Sequence, residues 1–232
     1  MDFDMTIYIR QHQIEALKAE HTKRKYFVGL DLGQSVDYTA YCVLEQVSVP
    51  QLQIGPIGKT PLTYDTTYHI TYLDRLPLRT TYPDIIKHVK TLLDTAPLAG
   101  NAELVIDYTG VGRPVFDGFV KEKLRPIGIS ITSGDAWRQD GRVFYVAKRL
   151  LISTLDSAMN NGCIFAAPLL THAEILRSEL ADLRRKFSDS GYQQVEARSG
   201  KHDDMILAVA VALWYAARPQ QKAAVGRYLL GG

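Results

Sequence analysis

YFVGLDLG at residues 26–33, YTAYCVLEQVSV at 38–49 and TTYHITYLDRL at 66–76 decide the architecture. The runs are rich in β-branched and aromatic residues and bounded by turn-forming or charged ones, which predicts strands. A short turn-like stretch separates the first two. PQLQIGPIGKTPLT (50–63), with three Pro and two Gly, predicts a loop between the second and third. Three successive antiparallel strands follow from these connections.

Outward from these strands the pattern changes. TYPDIIKHVKTLLDTAP (81–97) sets Ile85, Ile86, Val89, Leu92 and Leu93 at helical spacing, with Pro97 past the end. AELVIDYTG (102–110) reads as a strand, VFDGFVKEKLR (115–125) as a helix and PIGISIT (126–132) as another strand, a crossover pattern that adds parallel strands. Beyond a polar loop, residues 144–161, 171–187 and 203–217 predict three helices, with short strand candidates at 163–166 and 192–196. The order predicts an α/β, ribonuclease H-like fold: a mixed central sheet of about five strands, three antiparallel then parallel, flanked by helices. Residues 1–25 read as a lead-in helix or linker, 26–217 as the globular domain and 218–232 as a loose tail.

Composition narrows the class. With 46% hydrophobic and 22% charged residues, neither disorder nor a collagen-like chain fits. The formal charge of +2 is too small to indicate nucleic-acid or membrane binding, so any electrostatic argument is local. Cys42 and Cys163 make no disulfide framework, and a reducing cytosol is the natural compartment. The opening MDFDMTIYIRQ lacks the layout of a signal peptide, and the apolar run 205–217 is short for a membrane span, so a soluble protein is expected.

Three places put carboxylates where they are costly. Asp31 sits inside VGLDLG among apolar residues and Gly, and Asp107 ends LVID before YTG. An Asp is almost never fully buried unless it is paired or binds metal. A structural salt bridge is the alternative to function at Asp31. The third place is KHDDMILAVAVALW, where His202, Asp203 and Asp204 open an apolar helix. One Asp there is an ordinary N-cap, whereas two exceed what a cap needs. His202 reads as an orienting residue. If the first and fourth strands are neighbours, Asp31 and Asp107 come about 5 Å apart, and the last helix can bring Asp203 or Asp204 above them. Like charges this close call for a divalent cation, and all-oxygen ligation favours Mg²⁺ or Mn²⁺ over Zn²⁺. Two such ions, roughly 3.5–4 Å apart, suit phosphodiester hydrolysis.

From Phe27 to Ala217 the chain resembles the C-terminal nuclease domain of the large terminase subunit of tailed bacteriophages. The resemblance rests on VGLDLGQSVDYTA, VIDYTGVGRPVFD, FYVAKRLLISTLDSAMNNG, EILRSELADLRRKF and GKHDDMILAVAVALWYA, in that order. It implies a metal-dependent endonuclease on double-stranded DNA that cuts concatemers during genome packaging in the cytoplasm of the bacterial host. Asp31, Asp107 and Asp203 match the metal-binding catalytic acids, and Asp204 a second acid used in some members. The implied partners are a packaging ATPase domain, the small terminase subunit and the portal, with no membrane. Such proteins carry an ATPase motor ahead of the nuclease, whereas about 25 residues precede the first strand here. An excised domain and a motor-less gene product both remain open. GPIGKT (55–60) is not a phosphate loop, because Gln53 stands where the first Gly is required. No ATP hydrolysis is expected.

Candidate DNA contacts are Lys148, the run Arg184, Arg185 and Lys186, and Arg198 with Lys201. A solvated helix face, balanced by Glu179 and Asp182, is the other reading of the Arg184–Lys186 run. Rival functions are a ribonuclease H or junction resolvase on the same fold, and an actin-like or sugar-kinase-type ATP-binding domain whose first phosphate loop GLDLGQS resembles. A DNA-binding or assembly module with a dead site is the non-enzymatic alternative.

Overall fold

Strand and helix periods alternate along the chain as β1 (Lys23–Asp31), β2 (Ala40–Gln51), β3 (Thr63–Arg75), α1 (Tyr82–Leu93), β4 (Ala102–Asp107), α2 (Gly112–Lys121), β5 (Ile127–Thr132), β6 (Trp137–Asp140), β7 (Val143–Ala147), α3 (Lys148–Asn160), β8 (Ile164–Ala166), α4 (Ala173–Asp189) and α5 (Asp204–Ala217). The computed structural model describes residues 14–16, 18–33, 37–51, 63–110, 112–189 and 203–218, and at 112–113 and 183–189 the backbone alone. Residues 14–16 and 18–21 are helical.

The strands form one mixed sheet in the order β6-β7-β5-β4-β1-β2-β3-β8. β1, β2 and β3 pair antiparallel, while β4 lies parallel on β1 and β5 parallel on β4. This β3-β2-β1-β4-β5 centre is the mixed α/β arrangement that the strand order predicts.

The described sheet has eight strands rather than about five. The helix predicted from residue 144 begins at Lys148, and the residues before it form β7. Phe144 and Val146 are buried while Tyr145 is only partly so, the period of a strand, but five residues are too few to show it against the helix that follows. The polar loop before it contains β6, whose four residues are all exposed and show no apolar alternation. The strand candidate at 163–166 is β8, parallel to β3 at the sheet edge. The candidate at 192–196 and the loop 55–60 lie outside the described residues.

Alternation along the strands sorts side chains into two layers. Val28, Leu30, Tyr41, Leu104 and Ile106 face one side, covered by Ile85, Ile86 and Val89 of α1 and Val115 and Phe119 of α2. Phe27, Ala40, Cys42, Val105 and Ile129 face the other, where α5 lies between the sheet and Leu151, Ile152 and Leu155 of α3. Every residue of α5 from Met205 to Tyr215 is buried. Such a helix has no solvated stripe to set its orientation, so its position depends on close contact and on its ends. Close contact comes at Gly29, where an added Cβ would meet the Ala208 carbonyl oxygen at 2.0 Å. A glycine in β1 is what lets the α5 backbone reach the sheet. Both cysteines are free, and burial pushes the Cys42 thiol up to about 12. Among the described residues no helix is long and apolar enough to cross a membrane.

Candidate active site

The same alternation aims the last residues of β1 and β4. Phe27 and Gly29 face α5, so two residues on Asp31 does too, and Val105 likewise leads to Asp107. Leu30 lies opposite Ile106 in the parallel pair, so the register continues to Asp31 beside Asp107, on strands about 5 Å apart. Asp31 is opposite Ala40 of β2, and Ala40 is opposite Arg75 at the end of β3. On the other side Asp107 is opposite Ile129 of β5. One row across the sheet therefore reads Ile129, Asp107, Asp31, Ala40, Arg75, with two acids and one cation at the carboxyl ends of parallel strands. Open α/β sheets place ligands at that edge.

The start of α5 lies over this row. Asp203, its N-cap residue, makes no side-chain capping bond. Its Oδ2 instead accepts a hydrogen bond from Nζ of Lys148, the first residue of α3, at 3.1 Å. Asp204 is buried and turned to Arg75, whose Nη2 donates to Oδ1 at 2.9 Å and whose Nε stands 2.7 Å from Oδ2. Arg75 Nη2 also bonds Glu179 of α4, and Glu179 Oε2 accepts from the Ile206 amide at 3.1 Å. Tyr38 lies against the Arg75 guanidinium, 5.2 Å from ring centroid to Cζ.

Charge is unevenly shared. Burial holds the Asp31 carboxyl well above the usual carboxylate range, and the charges of Asp107, Asp204 and Asp203 push it further, with Lys148 opposing. Burial also raises Asp107, against the hydroxyl and amide of Thr109 and the charge of Lys148; the Thr109 amide donates to Oδ1 at 2.7 Å. Glu179 is pushed up to about 7 by burial and the neighbouring Asp204 and Asp203 charges, against the Ile206 amide and Arg75. Asp31, Asp107, Asp203, Asp204 and Glu179 thus share two cations, Arg75 and Lys148. Arg75 answers two carboxyls, Asp204 and Glu179, and Lys148 answers Asp203, so Asp31 and Asp107 are the carboxyls that burial makes costly to ionise.

Among the described residues no three carboxylate, imidazole or thiol groups converge closely enough to hold an ion as they stand. The donor chemistry nevertheless fits a hard divalent cation at Asp31, Asp107 and Asp203: all-oxygen, over-charged and on one side of the sheet edge. Asp204 fits it less well, being committed to Arg75.

Of the other residues singled out in the sequence, Lys148 is at the site. Arg184, Arg185 and Lys186 lie on α4, with side chains outside the described residues, and Arg198, Lys201 and His202 lie wholly outside them. Arg75 was not anticipated, although Leu73 buried two positions earlier marks its face. Glu179 does not serve to balance the basic run: it is buried and pairs with Arg75. Its spacing of three from buried Leu176 is the signal for that.

No known protein-family profile matches the sequence, and no curated protein matches it. Among solved structures, the human cytomegalovirus terminase nuclease domain aligns over 84% of this chain and 83% of its own, at 14% identity and a TM-score of 0.41. A likeness at that level says nothing of activity, which is argued from the chain's own residues.

Proposed function

We propose that this chain is a metal-dependent endonuclease that cleaves double-stranded DNA, the nuclease part of a tailed-phage packaging terminase acting in the host cytoplasm beside an ATPase motor, a small subunit and the portal. The observation that carries the chemistry is the register that sets Asp31 beside Asp107, with Asp203 electrostatically coupled to both. The packaging role comes from the ordered motif resemblance. Asp31, Asp107 and Asp203 would hold Mg²⁺ or Mn²⁺, two ions as suits phosphodiester hydrolysis, which when bound polarise water and neutralise charge at the phosphate. Asp203 is suited to this because its carboxylate is not used as a cap and is partly exposed, at 31% of the side chain. Lys148, beside it and 23% exposed, would meet a phosphate oxygen as a point charge. Arg184, Arg185, Lys186, Arg198 and Lys201 would hold the DNA backbone, which positions a duplex without reading its sequence.

Plasmid cleavage should require Mn²⁺ or Mg²⁺, and Asp31→Ala should abolish it while DNA retention in a gel-shift assay persists. Cutting by the purified mutant, with contaminating nuclease excluded, would refute the assignment.

A further inference from the structure

We infer that Glu179 is the N-terminal cap of α5, supplied from α4, and that with Arg75 it positions the acid-bearing first turn so that Asp203 is free for the site. The functional half of this rests on the nuclease reading above. Counting from Asp203 as N-cap, Ile206 is the third helical residue, and its amide is one that an N-cap Asp side chain would ordinarily take. Here the Glu179 carboxylate takes it, at 3.1 Å, from another helix. The remaining oxygen of Glu179 meets Arg75, and Arg75 grips Asp204, so three elements converge on one turn.

Arg75 is itself set by the sheet, in the row that contains Asp31 and Asp107. The clamp therefore ties the start of α5 to the strands that bear the other acids. It is also where such a device is needed, because α5 is apolar on all sides and, beside the close contact at Gly29, its ends must fix its rotation and depth. Glu179 and Arg75 are positioning residues: they act through Asp203 and Asp204 rather than on DNA. The same helix α4 bears the basic run 184–186 about two turns further on, so a duplex held there would be braced against the turn that presents the acids.

The test compares Glu179→Gln, which keeps an acceptor for the Ile206 amide, with Glu179→Met, which removes it at similar volume. Three quantities are read on the whole chain: hydrogen exchange of the Ile206 amide, Mn²⁺ binding by calorimetry, and kcat and KM on linear duplex DNA. In Glu179→Met the Ile206 amide should exchange about tenfold faster, Mn²⁺ should bind at least about fivefold more weakly, and kcat should fall with KM for DNA unchanged. Glu179→Gln should restore all three to within about twofold of the parent. Parent-like exchange and Mn²⁺ binding in the Met variant, or a Gln variant as impaired as Met, overturns the inference. If Glu179→Met does not fold, Arg75→Gln decides. It leaves Glu179 on the amide, so exchange should stay slow while kcat falls, and an unchanged kcat there overturns the positioning role. A parent that neither binds Mn²⁺ nor cuts removes the nuclease reading, while Ile206 exchange still decides whether Glu179 caps α5.

Discussion

α1 and α5 cover opposite faces of the same sheet, and both begin at a residue type that caps helices, but only α1 uses its own. Thr81 accepts a hydrogen bond from the Asp84 amide, Pro83 stands in the first turn, and Ile85, Ile86 and Val89 form a buried stripe. This helix is specified by its own dozen residues. α5 has a potential cap in Asp203 that bonds Lys148 instead, no polar stripe, and its third amide satisfied by Glu179 from α4. On the proposed nuclease reading, a capping residue released from capping, at a cost that another helix offsets, is a carboxylate held for chemistry.

The largest test of that contrast truncates the residue at the start of each helix. Asp203→Ala should slow Mn²⁺-dependent cleavage by at least about a hundredfold, the scale of losing one group that stabilises the transition state. It should change unfolding stability by less than about 0.5 kcal/mol, the scale of a partly exposed ion pair. Thr81→Ala should do the reverse, leaving cleavage alone and costing about 1 kcal/mol in a thermal or urea melt. A loss of stability in Asp203→Ala equal to that in Thr81→Ala breaks the comparison.

Glycines at the two interfaces sharpen it. Gly29→Ala forces a methyl against the Ala208 carbonyl of α5 and should cost about 3 kcal/mol, because backbone must move. Gly118→Ala on α2 meets the end of the Ile86 side chain at 2.7 Å, which can rotate away. The helix propensity gained, about 1 kcal/mol, should leave that variant near the parent in stability. Similar melting losses in the two variants would show that the α5 contact is no tighter than its counterpart.

A remaining effect, spread over several pH units, is the pH dependence of stability in chelator. Glu179 has its folded pKa pushed up to about 7 from 4.5, so between those values the folded state binds more protons than the unfolded. Its contribution is greatest below about pH 4.5 and is lost as pH rises through 7, by about 3–4 kcal/mol at most. The raised carboxyls of Asp31 and Asp107 act with the same sign. Added Mn²⁺ should flatten the fall above pH 6, as should Glu179→Gln. A melting temperature that rises from pH 5 to 7.5 in chelator would contradict the charge excess at this site.

Strand and helix periods were legible wherever a segment carries its own pattern. β1 to β5 and the cores of all five helices follow from apolar spacing, and the neighbours of Asp31 and Asp107 marked them as carboxylates in costly places. β6 was not legible, because its WRQD has no buried position, and β7 merged with α3 because five apolar residues fit either period. Arg75 and Glu179 escaped for another reason. Each looks like an ordinary surface charge beside its chain neighbours, and its meaning lies in a partner 104 residues away.

Local patterning, then, determined which segments are strands, which helices, and which carboxylates sit among apolar neighbours, since each depends on residues a few positions apart. Only the tertiary structure decided that Asp31 and Asp107 share a row with Arg75, that Asp204 pairs with Arg75 while Asp203 pairs with Lys148, and that Glu179 caps a helix not its own. Register and helix docking bring these groups together, and both are set by burial summed over the whole sheet rather than by any one segment.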